Sequence, residues 1–374
     1  MKRGTLPEAK KHLYFMNYPT RNEGNDLAGN RIKMLIKGMS NIARIALRGW
    51  DAINKIDLSV RQIDRKLNEI CSSLPNGHSV SYLGRDLCLV RTRWGGYVVV
   101  PSYNVDVAVG IIRDGVHEPW TTRLVQETLK LGDTYVNVGS NFGYYTSLGG
   151  LIVGNKGKVL SFEANPAVFA ILLKTIMYAG IPDRTTVFNR AVFRETGEHF
   201  NFTFDYQFAG GGHLELNAIE QPCMGDPFWS KDSVPSILGH NGQWLPGKGI
   251  MNKFEAKTLA LDDVIGEGPV DLLHCDVEAA EPYVITGAKT MIRNSPRLKI
   301  IFEWSSYSFD HGTDEYREAV NDMWTLLVSE GFSIRRLMPF LHADGAIELS
   351  ERLTYAEFIA GEHGDYFAER SLQQ

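Results

Sequence analysis

The sequence predicts an α/β protein, a mostly parallel sheet with helices on both faces, and three observations carry that prediction. From residue 134 onward short β-type runs alternate with helical ones, the pattern of strands joined by crossover helices. The stretch "VNVGSNFGYY" (136–145) reads as a strand entering a glycine-bounded turn and then a helix. The next strand, within "VLSFEANP" (159–166), ends on an acid, Glu163.

Taken in order, residues 1–30 mix Pro, Gly, Asn and charge without periodicity and are expected to form a poorly ordered arm. Residues 31–79 read as helical. Ile53, Ile56, Val60, Ile63, Leu67 and Ile70 fall at alternating steps of three and four, a short coiled-coil seam. The preceding "RIKMLIKGMSNIARIALRGW" (31–50) carries five basic residues and no acid on an amphipathic pattern. Three readings stand: self-association through residues 50–73, docking of 31–50 on an anionic membrane surface, or packing on the protein's own body. Residues 80–114 alternate and turn like β-hairpins, with Gly95-Gly96 as one turn. A helix is expected within 115–133, ending near Gly132.

Beyond it, strands are predicted at 134–138, 158–162, 186–189, 270–275 and 298–303, and helices at 142–153, 166–179, 282–293 and 315–330. "GFSIRRLM" (331–338) and "AIELS" (346–350) read as late strands. The alternation fails over 201–260. This long insertion is rich in Gly, Pro and aromatics (Phe202, Phe204, Tyr206, Phe208, Phe228, Trp229, Trp244), which favours a lid or binding loop.

The composition is that of an ordinary globular protein, 44% hydrophobic and 22% charged. The net charge of −5 is uneven: residues 1–50 carry ten Lys/Arg against three acids, so the rest of the chain stands at −12. An acidic body argues against nucleic acid as a partner. The four cysteines (Cys71, Cys88, Cys223, Cys275) form no C-x-x-C pair, which suits a reducing compartment and excludes a Cys-rich zinc site. No apolar run reaches the roughly 18 residues of a membrane span. A cytoplasmic protein, peripheral at the membrane if the basic helix docks, is the expectation.

The turn at 139–143 is G-x-x-x-G and lacks the G-x-G-x-x-G of a dinucleotide site. It still exposes backbone N–H groups at a helix N-terminus, where the macrodipole favours an anion. Glu163 at the tip of the following strand is placed to accept both hydroxyls of a ribose. Four stretches in order then resemble the FkbM-type methyltransferases: "GDTYVNVGSNFGYYTSL" (132–148), "GKVLSFEANPAVF" (157–169), "FNRAV" (188–192) and "TLALDDVIGEGPVDLLHCDVEAAEPYVITGAKTMI" (258–292). "GVHEPW" (115–120) is similar to that family's lead-in. The resemblance spans about 115–305. Three positions depart from its pattern: Asn137 stands for the usual Asp, Ala164 for a Pro, and Ala279 for the Gly of a D-V-E-G-A-E block.

The resemblance implies a Rossmann-like class I methyltransferase fold and S-adenosyl-L-methionine as cofactor. It implies a cofactor site made of Glu118, Asn137, Gly139, Ser140, Asn141, Gly143, Tyr144, Glu163, Asn165, Ala191 and Asp276. Glu118 is equally readable as an acid favoured at a helix N-terminus. An S-adenosylmethionine-dependent O-methylation of a hydroxyl, on a sugar, glycan or secondary metabolite, follows from the resemblance. Such a transfer needs the acceptor aligned, water excluded and a hydroxyl proton removed. Asp276, Glu278 and His213 are the candidate catalytic groups, with Asp276 alternatively on the cofactor's amino group. Glu303 and Trp304 are expected on the same rim. No metal ligand is assigned, although the carboxylates of Asp276, Glu278 and Glu303 leave a divalent cation as a lesser alternative. Two rival functions remain: a nucleotide-dependent oxidoreductase on this fold, and a non-catalytic cofactor-binding scaffold acting through the helical arm.

Overall fold

The computed structural model describes residues 78–205, 207–216, 251–265 and 268–370. The expectations for the basic arm, the heptad seam and most of the 201–260 insertion, including Tyr206, Phe228, Trp229 and Trp244, therefore lie outside the described residues. The chain divides into residues 1–74 and 75–374, and everything below concerns the second unit.

A three-stranded antiparallel sheet comes first: β1 (Ser79–Gly84), β2 (Leu87–Arg91) and β3 (Tyr97–Pro101). The hairpin reading of this region holds up to Pro101 and then fails. "VAVGIIRD" is helix α1 (Val107–Asp114), although its β-branched alternation resembles a strand. Local chemistry decides it. The Asp106 carboxylate accepts the Val107 N–H at 2.6 Å, and Gly115 ends the helix in the left-handed conformation at φ 68°. Helix α2 (Pro119–Thr128) follows, with proline in its first turn.

The central sheet has seven strands in the order β13-β14-β12-β11-β4-β5-β6. These are β4 (Thr134–Val138), β5 (Lys158–Phe162), β6 (Thr185–Phe188), β11 (Leu272–Cys275), β12 (Lys299–Trp304), β13 (Phe332–Arg336) and β14 (Gly364–Arg370). β14 runs antiparallel to both its neighbours, and the pairs β4–β5, β5–β6, β4–β11 and β11–β12 are parallel. This is the Rossmann-like, class I methyltransferase arrangement. The strand expected at 346–350 reduces to a single bridge, Leu337↔Leu349, and β14 takes the place beside β12 instead.

Strand alternation sorts the core into two layers. Tyr135, Val159, Leu272 and Ile301 pack with helices α3 (Tyr144–Val153) and α4 (Pro166–Ala179) and with β2 and β3. Val136, Val138, Leu273, Cys275, Ile300 and Phe302 face the other way. They meet α6 (Glu281–Thr286), α7 (Lys289–Arg293) and α9 (Asp314–Ser329). Each such side chain contributes about 1.5–3 kcal/mol by burial. The single helix expected over 282–293 is broken at Gly287, where a Cβ would lie 2.4 Å from the Phe193 carbonyl oxygen. Within the insertion the aromatic run is an ordered hairpin. β8 (His199–Asp205) pairs with β9 (Phe208–Leu214), and β10 (Met251–Leu259) joins β8 and the short β7 (Ala191–Val192). The remaining helices are α5 (Asp262–Ile265), α8 (Ser306–His311) and α10 (Tyr355–Ile359).

Candidate active site

A cavity of about 420 Å³ opens at the carboxyl ends of β4, β5, β11 and β12. That rim is where open parallel sheets place their ligands, because helix N-termini and strand-end loops converge there. Its floor is the turn after β4. Gly139 has φ 79°, and a Cβ there would lie 1.7 Å from the backbone oxygen of Asp276. The loop after β11 therefore runs directly against the loop after β4, and only glycine permits it. Ser140 and Asn141 also line the cavity, Asn141 in the left-handed region at φ 47°. Gly143 does not line it. Its missing Cβ makes room for Leu172 of α4, 2.7 Å from where that atom would be, so this glycine serves helix packing and the α3 N-cap.

Glu163 is buried to 7% exposure and lines the cavity. One carboxylate oxygen accepts the Asn141 N–H at 2.8 Å and the other accepts the Asn165 N–H at 2.8 Å. Burial raises its pKa to about 7, and the backbone hydrogen bonds pull against that rise. Asn165 lines the cavity too, but its side-chain oxygen caps α4 through Ala167 and Val168, so a structural role accounts for it. Ala191 lies on the lining beside Arg190 and Val192.

At the other end the carboxylates gather. Asp276, Glu278 and Glu303 offer oxygens that all lie within 4.8 Å of one another, and all three residues line the cavity. Asp276 and Glu278 are held well above the usual carboxylate range by burial first and by the Glu303 charge second. Glu281, which the sequence reading did not single out, is 3% exposed and accepts the Val277 N–H at 2.8 Å. Burial and Glu303 raise its pKa to about 8. It pins a loop in which Glu278 (φ 54°) and Ala279 (φ 76°) both adopt left-handed backbone. This explains the family's glycine at position 279 as a conformational requirement. Ala279 meets it with strain of about 1–2 kcal/mol.

Glu118 lines the cavity, and its carboxylate accepts the Tyr145 hydroxyl at 2.6 Å. It is also the N-cap residue of α2, without a side-chain capping bond, so its position at the helix N-terminus and its place on the cavity wall both stand. Tyr144 lines the cavity with its hydroxyl accepting from Trp94 Nε1 at 2.8 Å.

Besides Gly143, three expected site residues lie elsewhere. Asn137 is 2% exposed and points, like Tyr135, to the α3 layer. Its amide donates to Thr146 Oγ1 at 3.0 Å, and Thr146 meets Ser161 Oγ at 2.8 Å. Strand alternation turns it away from the cavity. Asn137→Ala is accordingly expected to cost about 1–2 kcal/mol in denaturant unfolding, from a lost buried hydrogen bond, while leaving S-adenosylmethionine affinity within about twofold. His213 sits in β9, buried, with Nδ1 2.9 Å from the Gly211 carbonyl oxygen, and is not on the cavity wall. Trp304 is 2% exposed and packs on Phe358 at 4.4 Å between ring centroids, inside the core. His274 is buried in β11 beside the Tyr135 hydroxyl, its pKa lowered to about 3 by burial and then by His117.

The hairpin extension (80–114) and the 201–260 insertion also contribute to the cavity lining. Asp106 and Val107 come from the first, and Phe202, Gly210–Gly212 and Leu214 from the second. Asp106 joins them by accepting the Gly210 N–H at 2.7 Å.

These features fit S-adenosylmethionine. Glu163 presents a fixed carboxylate for a ribose, and the acidic end suits a cationic methionine group.

Comparison with curated proteins returns no match. Among solved structures, the chain is similar to an O-methyltransferase from Bacillus cereus in complex with SAH. That match has 14% identity, covers 72% of this chain and 82% of that one, and gives a TM-score of 0.35. It is similar to a SAM-dependent O-methyltransferase from Thermotoga maritima at 14% identity, 76% and 78% coverage, and a TM-score of 0.34. Aeropyrum pernix fibrillarin with natively bound S-adenosyl-L-methionine matches at 14% identity, 78% and 97% coverage, and a TM-score of 0.31. These likenesses are remote. The family model "Methyltransferase FkbM domain", by contrast, matches residues 137–334, more than half of the chain and the whole of the cavity floor. The chain belongs to the FkbM methyltransferase family, whose methyl donor is S-adenosylmethionine.

Proposed function

We propose that this methyltransferase methylates a hydroxyl oxygen of a sugar, glycan or secondary metabolite. The observation that supports the reading is the convergence of Asp276, Glu278 and Glu303 within 4.8 Å on the cavity wall. A hydroxyl acceptor must lose its proton as the methyl group arrives, and a carboxylate whose proton affinity is raised by burial is the better base for that. Asp276, whose backbone abuts Gly139, is assigned to the cofactor's amino end. Glu278 is assigned to the acceptor proton. Glu163 holds the ribose, and Gly139, Ser140, Asn141 and Ala191 contact the cofactor. When bound, the cofactor supplies an activated methyl group. The protein's own part is to align the acceptor, exclude water and hold the displaced proton.

The test begins with calorimetric titration of the full chain with S-adenosylmethionine, S-adenosylhomocysteine and NAD. The two sulfur ligands are expected to bind and NAD is not. Glu163→Ala is expected to lose roughly 10–100-fold in affinity, the worth of hydrogen bonds to a charged group. Hydroxyl-bearing sugars and metabolites are then screened for S-adenosylhomocysteine formation, with Glu278→Gln as the control. Turnover on amine acceptors alone would overturn the O-methylation reading. Cofactor binding with no turnover on any class would leave the scaffold reading standing.

A further inference from the structure

One wall of the cavity comes from residues that the cofactor assignments leave unused. Asp106 and Val107 supply it from the start of α1, and Phe202, Gly211 and Leu214 supply it from β8 and β9. β9 is an outer strand of the sheet β7-β10-β8-β9, and Ala191 lies on the opposite outer strand. At about 4.8 Å per strand, the two stand on the order of 14 Å apart across that sheet. Asp106 also lies ahead of residues 137–334, so the family match does not account for it. With the cofactor held at Glu163 and Ala191, this wall is left to the acceptor, a step that rests on the hydroxyl-methylation reading proposed above.

Asp106 is fixed from two sides. Its Oδ1 accepts the Val107 N–H at 2.6 Å, and its Oδ2 accepts the Gly210 N–H at 2.7 Å, about a hundred residues away. An ionised carboxylate has about four lone-pair sites, so each oxygen keeps capacity for a ligand. A Cβ at Gly210 would lie 3.0 Å from Oδ2, so glycine there keeps room for the bond. Gly212 has its own reason, because a Cβ there would lie 3.0 Å from the Phe202 ring. Gly211 has neither. Its backbone is not left-handed, and the nearest atom to a Cβ would be the Phe208 carbonyl oxygen at an ordinary 3.8 Å. It is exposed and lies on the cavity lining. The register explains how it gets there. Pairs 203↔213 and 205↔208 leave Phe204 opposite residues 209–212, so this part of β9 bulges out of the ladder.

We propose that this wall is the acceptor subsite, in which Asp106 accepts a hydrogen bond from a second hydroxyl of the acceptor and the bare backbone at Gly211 limits the bulk beside it. Asp106 is thereby a specificity-determining residue. It fixes which hydroxyl reaches the methyl group, while that hydroxyl's proton is left to Glu278. The class of acceptor follows from the same wall. An ionised Asp106 can only accept, so its partner must carry a donor. Arg190 is the only Lys or Arg on the described lining, and its guanidinium donates to the Asn189 carbonyl oxygen beside the ribose acid. No Lys or Arg therefore stands at Asp106 to hold a phosphate or a carboxylate. The acceptor that fits is an uncharged ring carrying a second hydroxyl near the one methylated.

The test uses the full chain, S-adenosylmethionine and four acceptors: trans-1,2-cyclohexanediol, cyclohexanol, methyl glucoside and its anionic counterpart methyl glucuronide. S-adenosylhomocysteine formation gives kcat/KM for each. Wild type is expected to favour the diol over cyclohexanol by roughly 10–100-fold, the worth of a hydrogen bond to a charged group. It is expected to favour the glucoside over the glucuronide. Asp106→Asn, which keeps a good N-cap residue for α1, is expected to lose about tenfold on the diol and little on cyclohexanol. Gly211→Val is expected to lose roughly tenfold on the glucoside and less on the smaller diol, with cofactor affinity and melting temperature unchanged. Equal losses on diol and cyclohexanol in Asp106→Asn would mean a merely structural carboxylate and overturn its role. Weakened S-adenosylmethionine binding in Gly211→Val, or an equal loss on every acceptor, would place the cofactor on this wall and overturn the subsite. So would a wild-type preference for the glucuronide, or methylation of none of the four, whatever other hydroxyl the protein accepts. Those results leave hydroxyl methylation standing, whereas turnover on amines alone overturns both.

Discussion

Gly139→Ala is expected to abolish measurable S-adenosylmethionine binding and to lower the melting temperature by roughly 5–10 °C. Two penalties act at once. The residue sits at φ 79°, where alanine costs about 1–2 kcal/mol. The new methyl would also lie 1.7 Å from the Asp276 backbone oxygen and 2.8 Å from its carbonyl carbon. A flexible side chain could swing aside, but these are main-chain atoms at the end of a central strand, so one of the two cavity loops has to move. Forced backbone shifts of this kind cost about 1–3 kcal/mol more. The displaced atoms are those that floor the cofactor cavity, so binding should suffer far more than stability. Gly180→Ala isolates the first penalty: φ there is 67° and nothing lies within 4 Å of the added atom. It is expected to lose only about 1 kcal/mol and to bind cofactor normally. Thermal melting and calorimetry of the two variants decide the matter. Equal behaviour would show that the loop after β11 does not press on Gly139.

The cofactor-free protein is expected to be more stable near pH 6 than near pH 8.5, against the usual trend for acidic proteins. Burial lifts Glu163 from 4.5 to about 7, and burial with the Glu303 charge lifts Glu281 from 4.5 to about 8. Asp276, Glu278 and Asp365 move in the same direction, burial again leading. In the unfolded chain the aspartates ionise near 3.8 and the glutamates near 4.5, so at neutral pH folding takes up protons. Their stabilisation is complete below the unfolded value and is lost as pH rises through about 7 to 8. At about 1.4 kcal/mol per unit, the interval from pH 6 up to its folded value of about 7 makes Glu163 worth roughly 1.4 kcal/mol of that difference, and the group together corresponds to several. Denaturant unfolding at pH 6.0 and 8.5 measures the difference. S-adenosylmethionine should narrow it, because its cation restores at high pH what the lost protons supplied at low pH. A flat profile, or stability that climbs with pH, would mean the cluster stays ionised in the folded state.

Much of this site was legible before any coordinates. The strand–turn–helix at 136–145 announced the turn that floors the cavity, because β-branched residues, two glycines and a helical run leave few alternatives locally. Glu163 was legible for the same reason: it ends an apolar strand one crossover later. What the sequence misplaced turns on side-chain direction. Asn137 lies inside the motif, but the two-residue alternation of β4 directs it to the α3 layer. His213 follows three glycines, yet it belongs to a paired strand and is not on the cavity wall. Gly143 is needed for Leu172, a residue of the next helix that no local pattern connects to it. Helix α1 was read as a strand because its Val and Ile residues alternate, and the Asp106 cap that overrides them also bonds Gly210, about a hundred residues away.

The sequence alone determined the family, the parallel α/β framework, the glycine-bounded turn and the strand-end acid Glu163, because each is written in residues close together along the chain. Only the tertiary structure decided that Asp276, Glu278 and Glu303 meet, that Glu281 pins their strained loop, and that His363 stands against Glu303. Those groups come from β11, β12 and the approach to β14, and the antiparallel return of β14 is what sets position 365 opposite 303. Charges brought together from separate strands onto one partly buried cavity wall interact far more strongly than the same charges along an open chain, and that interaction exists only once the sheet has formed.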